Sequence, residues 1–227
     1  NATRRWTYAQ LVADYLRTLK ALDDGVGRVL RRVDDENTLV LYTSDHGYFL
    51  GEHGCYDKRL MLDEAIRVPF IIRLPALLKP RRATFLARSV DVAPTILDFA
   101  GLLGKRAFDG VSLLKALVDK KATTGTTLYY RYYDEAMKAR AAPPAPPSHV
   151  GIRTPRWKLI LFDGLRCTPG FRTSGDPIFA LYDLERDPRE ATDVYASTST
   201  KIVSKLKREL RAAMASFGGE SHVKAGA

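Results

Sequence analysis

Residues Thr43 to Pro69 read TSDHGYFLGEHGCYDKRLMLDEAIRVP, and they constrain the fold more tightly than any other part of the chain. Asp45 and His46 follow the run Thr38–Thr43, which is apolar and rich in β-formers, a pattern typical of a buried parallel strand. Ligands in open α/β sheets bind beyond the carboxyl ends of strands. A carboxylate beside an imidazole suits a hard or borderline divalent cation there. Taken alone, the three residues DHG are equally compatible with a turn in which Asp45 accepts backbone hydrogen bonds.

The segments on either side of this stretch alternate between helical and strand-like patterns. Apolar residues recur at spacings of three and four from about Thr7 to Val33, which predicts one long helix. Arg67–Pro75 has the composition of a second buried strand, and Val92–Leu103 indicates a helix with a proline in its first turn. This order predicts an α/β fold.

The pattern changes after about Lys121. Residues 139–147 (ARAAPPAPP) are too rich in proline for a regular helix. Short strands with turns between them then follow at Val150–Arg153, Trp157–Phe162 and Phe179–Leu184, before an amphipathic helix at Ile202–Phe217. We therefore expect two parts: residues 1–121 in an α/β domain, and residues 122–227 as a small antiparallel-sheet subdomain with a closing helix.

Composition limits the classes of function. The chain has 227 residues, is 45% hydrophobic and carries a formal net charge of +10. No apolar run approaches the roughly 20 residues of a membrane span. The basic residues are scattered, and the densest cluster, Lys79–Arg82, lacks interleaved aromatic residues, which argues against nucleic acid and leaves a mild attraction for polyanions such as sulfated glycans. Two cysteines form neither a disulfide framework nor a zinc site.

The order of motifs in this chain resembles the sulfatase family, within the alkaline-phosphatase-like superfamily. The family's run of DHG, GEHG, a lysine, an acidic residue and RVP matches Asp45–Gly47, Gly51–Gly54, Lys58, Glu64 and Arg67–Pro69. The resemblance extends over nearly the whole chain. It includes the segments SVDVAPT (89–95), DGVSL (109–113), GIRT (151–154), WKLI (157–160) and LYDLERDP (181–188).

The resemblance implies that the sheet is mixed and flanked by helices, and it also implies a site and a reaction. A divalent metal, usually calcium in the family, would be held by Asp45 and His46 together with two N-terminal aspartates. Lys58 would contact the sulfate and act in catalysis. Relatives that act on sulfated sugars often have a histidine near the position of His149, which makes it a candidate substrate contact. The implied substrate is a sulfated small molecule or glycan, and the implied location is secreted, periplasmic or lysosomal; the oligomeric state is not indicated.

One part of the family pattern is missing from the printed residues. The family nucleophile is a formylglycine made from a cysteine or serine in C-x-P-x-R, and residues 1–227 contain no such motif; Cys167–Arg172 (CTPGFR) places its arginine one residue too far on. We expect the nucleophile and the two aspartates in an N-terminal part, and residues 1–227 by themselves to be inactive. Two alternatives stay open: a phosphodiester or phosphonate monoester hydrolase of the same superfamily, and a non-catalytic sulfatase-like fragment.

Three neighbours of the motif have competing interpretations. His53 is either a contact for the metal or leaving group, or a loop residue that holds the turn. Arg67 is expected to pair with Glu64 or another acidic neighbour, and Cys55 to have no role in the chemistry.

Overall fold

The computed structural model describes residues 2–33, 35–133, 148–162 and 177–217. They belong to two compact units, one formed by residues 1–43 and 69–81 and the other by residues 44–68 and 82–227. The proline-rich segment 139–147 and the Cys167 motif lie outside the described residues. None of the helices in the described ranges is both long enough and apolar enough to cross a membrane. The predicted domain boundary near residue 121 stays a prediction.

The first unit consists of one long helix and a two-stranded sheet. Helix α1 (Ala2–Val33) confirms the predicted helix and begins five residues earlier than the apolar periodicity indicated. The Asp35 carboxylate accepts hydrogen bonds from Asn37 N at 2.8 Å and Thr38 Oγ1 at 2.9 Å, a side-chain turn that redirects the backbone after the helix. Strand β1 (Val40–Thr43) follows this turn.

The pairing of β1 corrects one expectation from the sequence. β1 pairs with β4 (Phe70–Arg73) in an antiparallel register that sets Val40 opposite Arg73 and Thr43 opposite Phe70. Both strands are half-buried rather than fully buried. The prediction of two buried parallel strands is therefore wrong for this pair. Composition indicates strand propensity but not direction, and residues 44–69 contain no long crossover helix of the kind that brings parallel strands together.

The second unit is built around a four-stranded antiparallel sheet. Its strand order is β5 (Leu128–Tyr132), β6 (His149–Arg153), β7 (Trp157–Phe162) and β8 (Ile178–Asp183). This confirms the predicted C-terminal antiparallel sheet, and together with the helices it confirms the α/β class. The β6–β7 turn is tight because Thr154 and Trp157 exchange hydrogen bonds of 2.8 Å.

The two faces of this sheet bury different partners. The closing helix α5 (Thr200–Ser216) buries Leu206, Leu210 and Met214 against one face. The opposite face packs against the motif stretch, which contributes Phe49, Leu60, Met61, Leu62 and Ala65. Full burial of such a side chain stabilises the fold by about 1.5–3 kcal/mol. The stretch that carries the sequence motif is thus fixed on the sheet by its own apolar residues.

Two further helices lie along the chain between the motif stretch and strand β5. Helix α3 (Val92–Phe99) ends four residues before the predicted position, because Gly101 adopts a left-handed φ of 70° and Leu102 N bonds back to Leu97 O at 2.7 Å. Helix α4 (Leu114–Val118) follows the DGVSL turn. The carboxylate of Asp91, fully buried, connects the two segments by accepting from Arg88 Nη2 at 2.8 Å and Val111 N at 2.9 Å.

Removing this carboxylate is expected to destabilise the second unit. Asp91→Ala leaves the Val111 amide and the Arg88 guanidinium without their acceptor, and we expect a loss of about 2 kcal/mol in unfolding free energy. Chemical denaturation measures it. The matched control is Ser112→Ala, which removes a neutral hydroxyl that donates to Asp98 at 2.5 Å and accepts from Leu114 N at 3.2 Å, and it should cost about half as much. Equal losses in the two variants would contradict the central role of Asp91.

Candidate metal and sulfate site

Asp45 and His46 lie at the start of the second unit, two and three residues after β1. The Asp45 Oδ2 and His46 Nε2 atoms are 3.5 Å apart, and the Asp45 side chain is 84% exposed. The Asp45 Oδ1 atom accepts the His46 backbone N–H at 3.0 Å. Partial desolvation raises the pKa of Asp45, but the charge that the His46 ring carries when protonated and the His46 amide lower it by more, so the net pKa lies below its ordinary value. The carboxylate is therefore charged and open to a ligand at neutral pH.

The tautomer of His46 decides what this pair can bind. His46 Nδ1 lies 2.8 Å from the Gly47 carbonyl oxygen, which can only accept, so a neutral ring carries its proton on Nδ1. Its Nε2 lone pair then faces the Asp45 carboxylate. Two electron-rich atoms at 3.5 Å repel each other unless a cation or a proton lies between them. A neutral histidine fixed through its other nitrogen is the usual form of a metal ligand, so the two residues fit a divalent cation.

The described residues supply only part of a coordination shell. Within them, no group of three or more histidine, cysteine, aspartate and glutamate side chains is arranged to hold a metal ion. Calcium takes about six to eight oxygen ligands. Asp45 and His46 can therefore provide only some of the ligands of a calcium site, and their assignment as metal ligands stays a prediction.

The backbone beside this pair is held by a short helix. Helix α2 (Asp63–Ile66) offers the Ala65 carbonyl oxygen, which accepts the Gly47 N–H at 2.7 Å. The approach is so close that a Cβ on Gly47 would lie 2.0 Å from the Glu64 carbonyl oxygen. Only glycine fits here, which gives the third residue of the DHG motif a packing role. The position of Asp45 and His46 thus depends on α2.

Gly47→Ala is expected to separate the loop from α2. The added methyl must displace backbone rather than a flexible side chain, so we expect a cost of about 2 kcal/mol in unfolding free energy. Thermal or chemical denaturation measures the cost. Gly125→Ala is the matched control, because a Cβ there meets no atom within 4 Å. A Gly47→Ala protein as stable as the control would show that the loop moves freely relative to α2.

The GEHG segment forms the tip of a small hairpin. Strands β2 (Phe49–Leu50) and β3 (Tyr56–Asp57) are antiparallel, and a 3-10 turn at Glu52–Gly54 connects them. His53 has a left-handed φ of 55°, and its Nε2 atom lies 3.3 Å from Glu64 Oε2 on α2. The imidazole also packs edge-on against Phe49. The His53 side chain therefore lies beside α2 and packs on Phe49, but it makes no hydrogen bond to the Glu64 Oε2 atom.

Lys58 follows β3 directly and is exposed. Its neighbours Asp57 and Arg59 form an ion pair with each other, and Asp57 has a left-handed φ of 84°. An exposed ammonium is available to an anionic ligand. The role of Lys58 as a sulfate contact stays a prediction.

His149 lies in a different environment, on β6 of the sheet. Its ring is fully buried and packs on three aromatic rings, with centroids 5.6 Å from Tyr130, 5.4 Å from Tyr132 and 5.3 Å from Phe162. A substrate could reach the imidazole only if these rings moved. The structure therefore brings Asp45 and His46 together but sets His149 inside the core, and the role of His149 as a substrate contact stays a prediction.

Three other side chains near the motif have no apparent chemical role. A hydrogen bond with Tyr56, and then burial, raise the pKa of Tyr48 to about 12, which makes it a poor base at neutral pH. Burial, and then the charge of Glu64, raise the pKa of the half-buried Cys55 thiol, which makes it unreactive. Arg67 pairs at 4.0 Å with Asp63, an acidic neighbour as expected.

Sequence analysis missed one group of charged residues in this unit. Lys158 lies in the middle of the apolar strand β7, is fully buried, and forms ion pairs with Asp63 and Glu190. A lysine inside the run WKLILF was the available signal, since a charge within a buried strand requires a partner.

Comparisons with known proteins agree with the motif pattern. The family profile described as "N-sulphoglucosamine sulphohydrolase, C-terminal" matches residues 51–216. The chain is similar to an N-acetylglucosamine-6-O-sulfatase of Bacteroides thetaiotaomicron, at 35% identity over 213 residues, which covers 90% of this chain and 35% of that protein. It is also similar to the multifunctional alkaline phosphatase superfamily protein PehA of Trinickia caryophylli, at 30% identity over 82% of this chain and 36% of that protein.

A solved structure matches nearly the whole chain. It is described as a complex with its substrate, D-glucosamine-2-N,6-O-disulfate, and it superposes with a TM-score of 0.83 at 33% identity, covering 97% of this chain and 44% of that one. The chain spans about a third of the length of the two curated relatives named above.

Proposed function

Since the chain belongs to the sulfatase family, we propose that it forms the C-terminal part of an enzyme that hydrolyses a sulfate ester. The Asp45–His46 pair carries this proposal. An exposed carboxylate and a histidine lone pair lie 3.5 Å apart in the family's motif, and they are ready to share a cation. We propose calcium as the cation and a formylglycine, outside residues 1–227, as the nucleophile.

The proposed roles follow from the charges of a sulfate ester. A divalent cation bound by Asp45 and His46 supplies positive charge that offsets the negative oxygens of the sulfate group. The Lys58 ammonium supplies a second positive charge at the end of β3. Such a group accelerates the reaction where it meets charge that develops on the transferring group or on the leaving oxygen.

We propose a sulfated amino sugar as the substrate class. One relative is named for the 6-O-sulfate of N-acetylglucosamine, and the matched solved structure is described with a disulfated glucosamine. The formal net charge of +10 favours a polyanionic glycan over a neutral substrate. These observations support the class and leave the position of the sulfate group to experiment.

A second candidate is hydrolysis of a phosphodiester or phosphonate monoester. The similarity to PehA, which is named as a multifunctional member of the alkaline phosphatase superfamily, supports keeping this second class of anionic ester. A cation bound by Asp45 and His46, together with a lysine, offsets the charge of a phosphonate as well as that of a sulfate. The residues described therefore do not separate the two reactions.

The experiment compares esters that differ in the transferred group. The natural protein that contains this chain is assayed with aryl sulfate, aryl phosphonate monoester and N-acetylglucosamine-6-sulfate, with calcium and after chelation. We expect kcat/KM for sulfate esters to exceed that for the phosphonate by at least about tenfold, which is roughly 1.4 kcal/mol. A preference for the phosphonate would favour the second candidate, and no turnover of any ester would favour a non-catalytic role.

A further inference from the structure

A buried cluster of charges lies between the sheet and helix α2. The Lys158 ammonium is 2.6 Å from Asp63 Oδ1 and 2.5 Å from Glu190 Oε1, and the side chains of Lys158 and Glu190 are both 0% exposed. The other Glu190 oxygen, Oε2, accepts the backbone N–H of Asp63 at 2.7 Å. Asp63 is the first residue of α2, so its side chain and its amide are both held by this cluster.

Such a cluster is a poor source of stability. Removing charged groups from water costs about as much as their attraction returns, and apolar replacements of similar volume often stabilise proteins. Here burial raises the pKa of Glu190, while the charge of Lys158 lowers it. Arg153, whose Nε lies 3.7 Å from Asp63 Oδ1, brings the formal charge of the four residues to zero. The cluster instead fixes the orientation of α2, because an ion pair with additional hydrogen bonds constrains angles that apolar contacts leave free.

Helix α2 connects this cluster to the loop that carries Asp45 and His46. The Ala65 carbonyl of α2 accepts the Gly47 N–H at 2.7 Å, and Gly47 is joined to the Asp45–His46 pair. The Glu64 side chain of the same helix lies 3.3 Å from His53 at the hairpin tip. A four-residue helix cannot fix its own orientation. Apolar contacts of Leu62 and Ala65 hold this segment on the sheet, and the bonds to Asp63 fix the orientation of α2 and with it the loop at Gly47.

We propose that Lys158, held by Glu190, is a positioning residue for the Asp45–His46 pair, acting through Asp63 and α2. The proposal rests on the proposed function in one respect, that Asp45 and His46 bind a cation. The contacts from Lys158 to Gly47 lie entirely among described residues of the second unit.

Lys158→Met tests the proposal because it removes the cation and keeps the length of the side chain. Glu190 then loses its counter-charge, while Asp63 keeps only the longer contacts to Arg153 at 3.7 Å and Arg67 at 4.0 Å. Repulsion between the two carboxylates pushes Asp63 and α2 away from the sheet. We expect the amide of Gly47 to lose its acceptor at Ala65. Hydrogen exchange in the natural protein, read in peptides covering residues 44–50, should speed up by about tenfold.

Calcium binding provides the second readout. Calorimetric titration with calcium should show an affinity about tenfold weaker in Lys158→Met, the low end for residues that orient metal ligands. At saturating calcium we expect kcat to stay within about threefold of the natural enzyme, because Lys158 touches neither substrate nor cation.

The matched control is Arg156→Met. Arg156 also pairs with a carboxylate of this sheet, with Nη2 2.8 Å from Asp183 Oδ2, but the pair lies at the β6–β7 turn and does not involve α2. We expect a loss of thermal stability in Arg156→Met without a change in exchange at residues 44–50 or in calcium affinity. If Lys158→Met also lowers only thermal stability, the cluster is merely structural and the proposal is overturned.

A milder variant keeps the test decisive if Lys158→Met does not fold. Glu190→Gln retains an oxygen for the Asp63 amide and removes one charge, so exchange at residues 44–50 should rise by about threefold. Unchanged exchange in that variant would overturn the proposal. The exchange readout does not depend on turnover, so an enzyme inactive on sulfate esters with faster exchange would contradict the proposed function alone.

Discussion

His46→Ala is expected to lower kcat/KM for a sulfate ester by about three orders of magnitude, roughly 4 kcal/mol of transition-state stabilisation. His46 Nε2 faces Asp45 Oδ2 at 3.5 Å, and its lone pair is directed there by the hydrogen bond from Nδ1 to Gly47 O. His46→Ala removes one ligand and leaves the Asp45 carboxylate as the only donor of the pair. Steady-state kinetics of the natural protein at several calcium concentrations measure the effect.

The matched control is His46→Asn. An amide oxygen can replace the imidazole nitrogen toward a hard cation. We expect His46→Asn to keep activity within about tenfold when calcium is raised, which is the range of a modest loss of metal affinity. If His46→Ala responds to calcium as the natural protein does, His46 is not a metal ligand, and the turn interpretation of Asp45 is correct.

Lys58→Ala is expected to lower kcat/KM by about two orders of magnitude, the usual cost of losing one electrostatic stabiliser. Lys58 is exposed at the end of β3, on the hairpin whose His53 side chain lies 3.3 Å from Glu64 of α2. The loss should fall mainly on kcat, because the ammonium is proposed to meet charge that develops during the reaction. Stopped assays with aryl sulfate at saturating calcium separate kcat from KM.

The control for Lys58 is Lys105→Ala, which removes the same charge from an exposed position outside the motif. If Lys58 only adds to a general attraction of the basic surface for sulfate, removing either charge should lower kcat/KM by a similar small factor. A loss below about threefold in Lys58→Ala would make Lys58 a surface residue without a role in the reaction.

The family and the local elements were accessible from the sequence because they depend on short spacings. Helix α1 follows from an apolar periodicity, and the C-terminal strands follow from apolar runs between turns. Asp45 and His46 are adjacent in the chain, so no fold is needed to bring them together. The run of motifs from Asp45 to Pro69 predicted the family that the comparisons show.

Tertiary structure alone decided which distant residues hold the site. Lys158 bonds to Asp63 across 95 positions, and Glu190 bonds to the same residue across 127. No local pattern carries such pairs, because the partners are set by how the sheet and α2 pack. The antiparallel direction of β1 and β4 and the burial of His149 have the same origin. Propensity and periodicity act within a few residues, whereas strand direction, burial and ion pairing depend on contacts that exist only once the chain has folded.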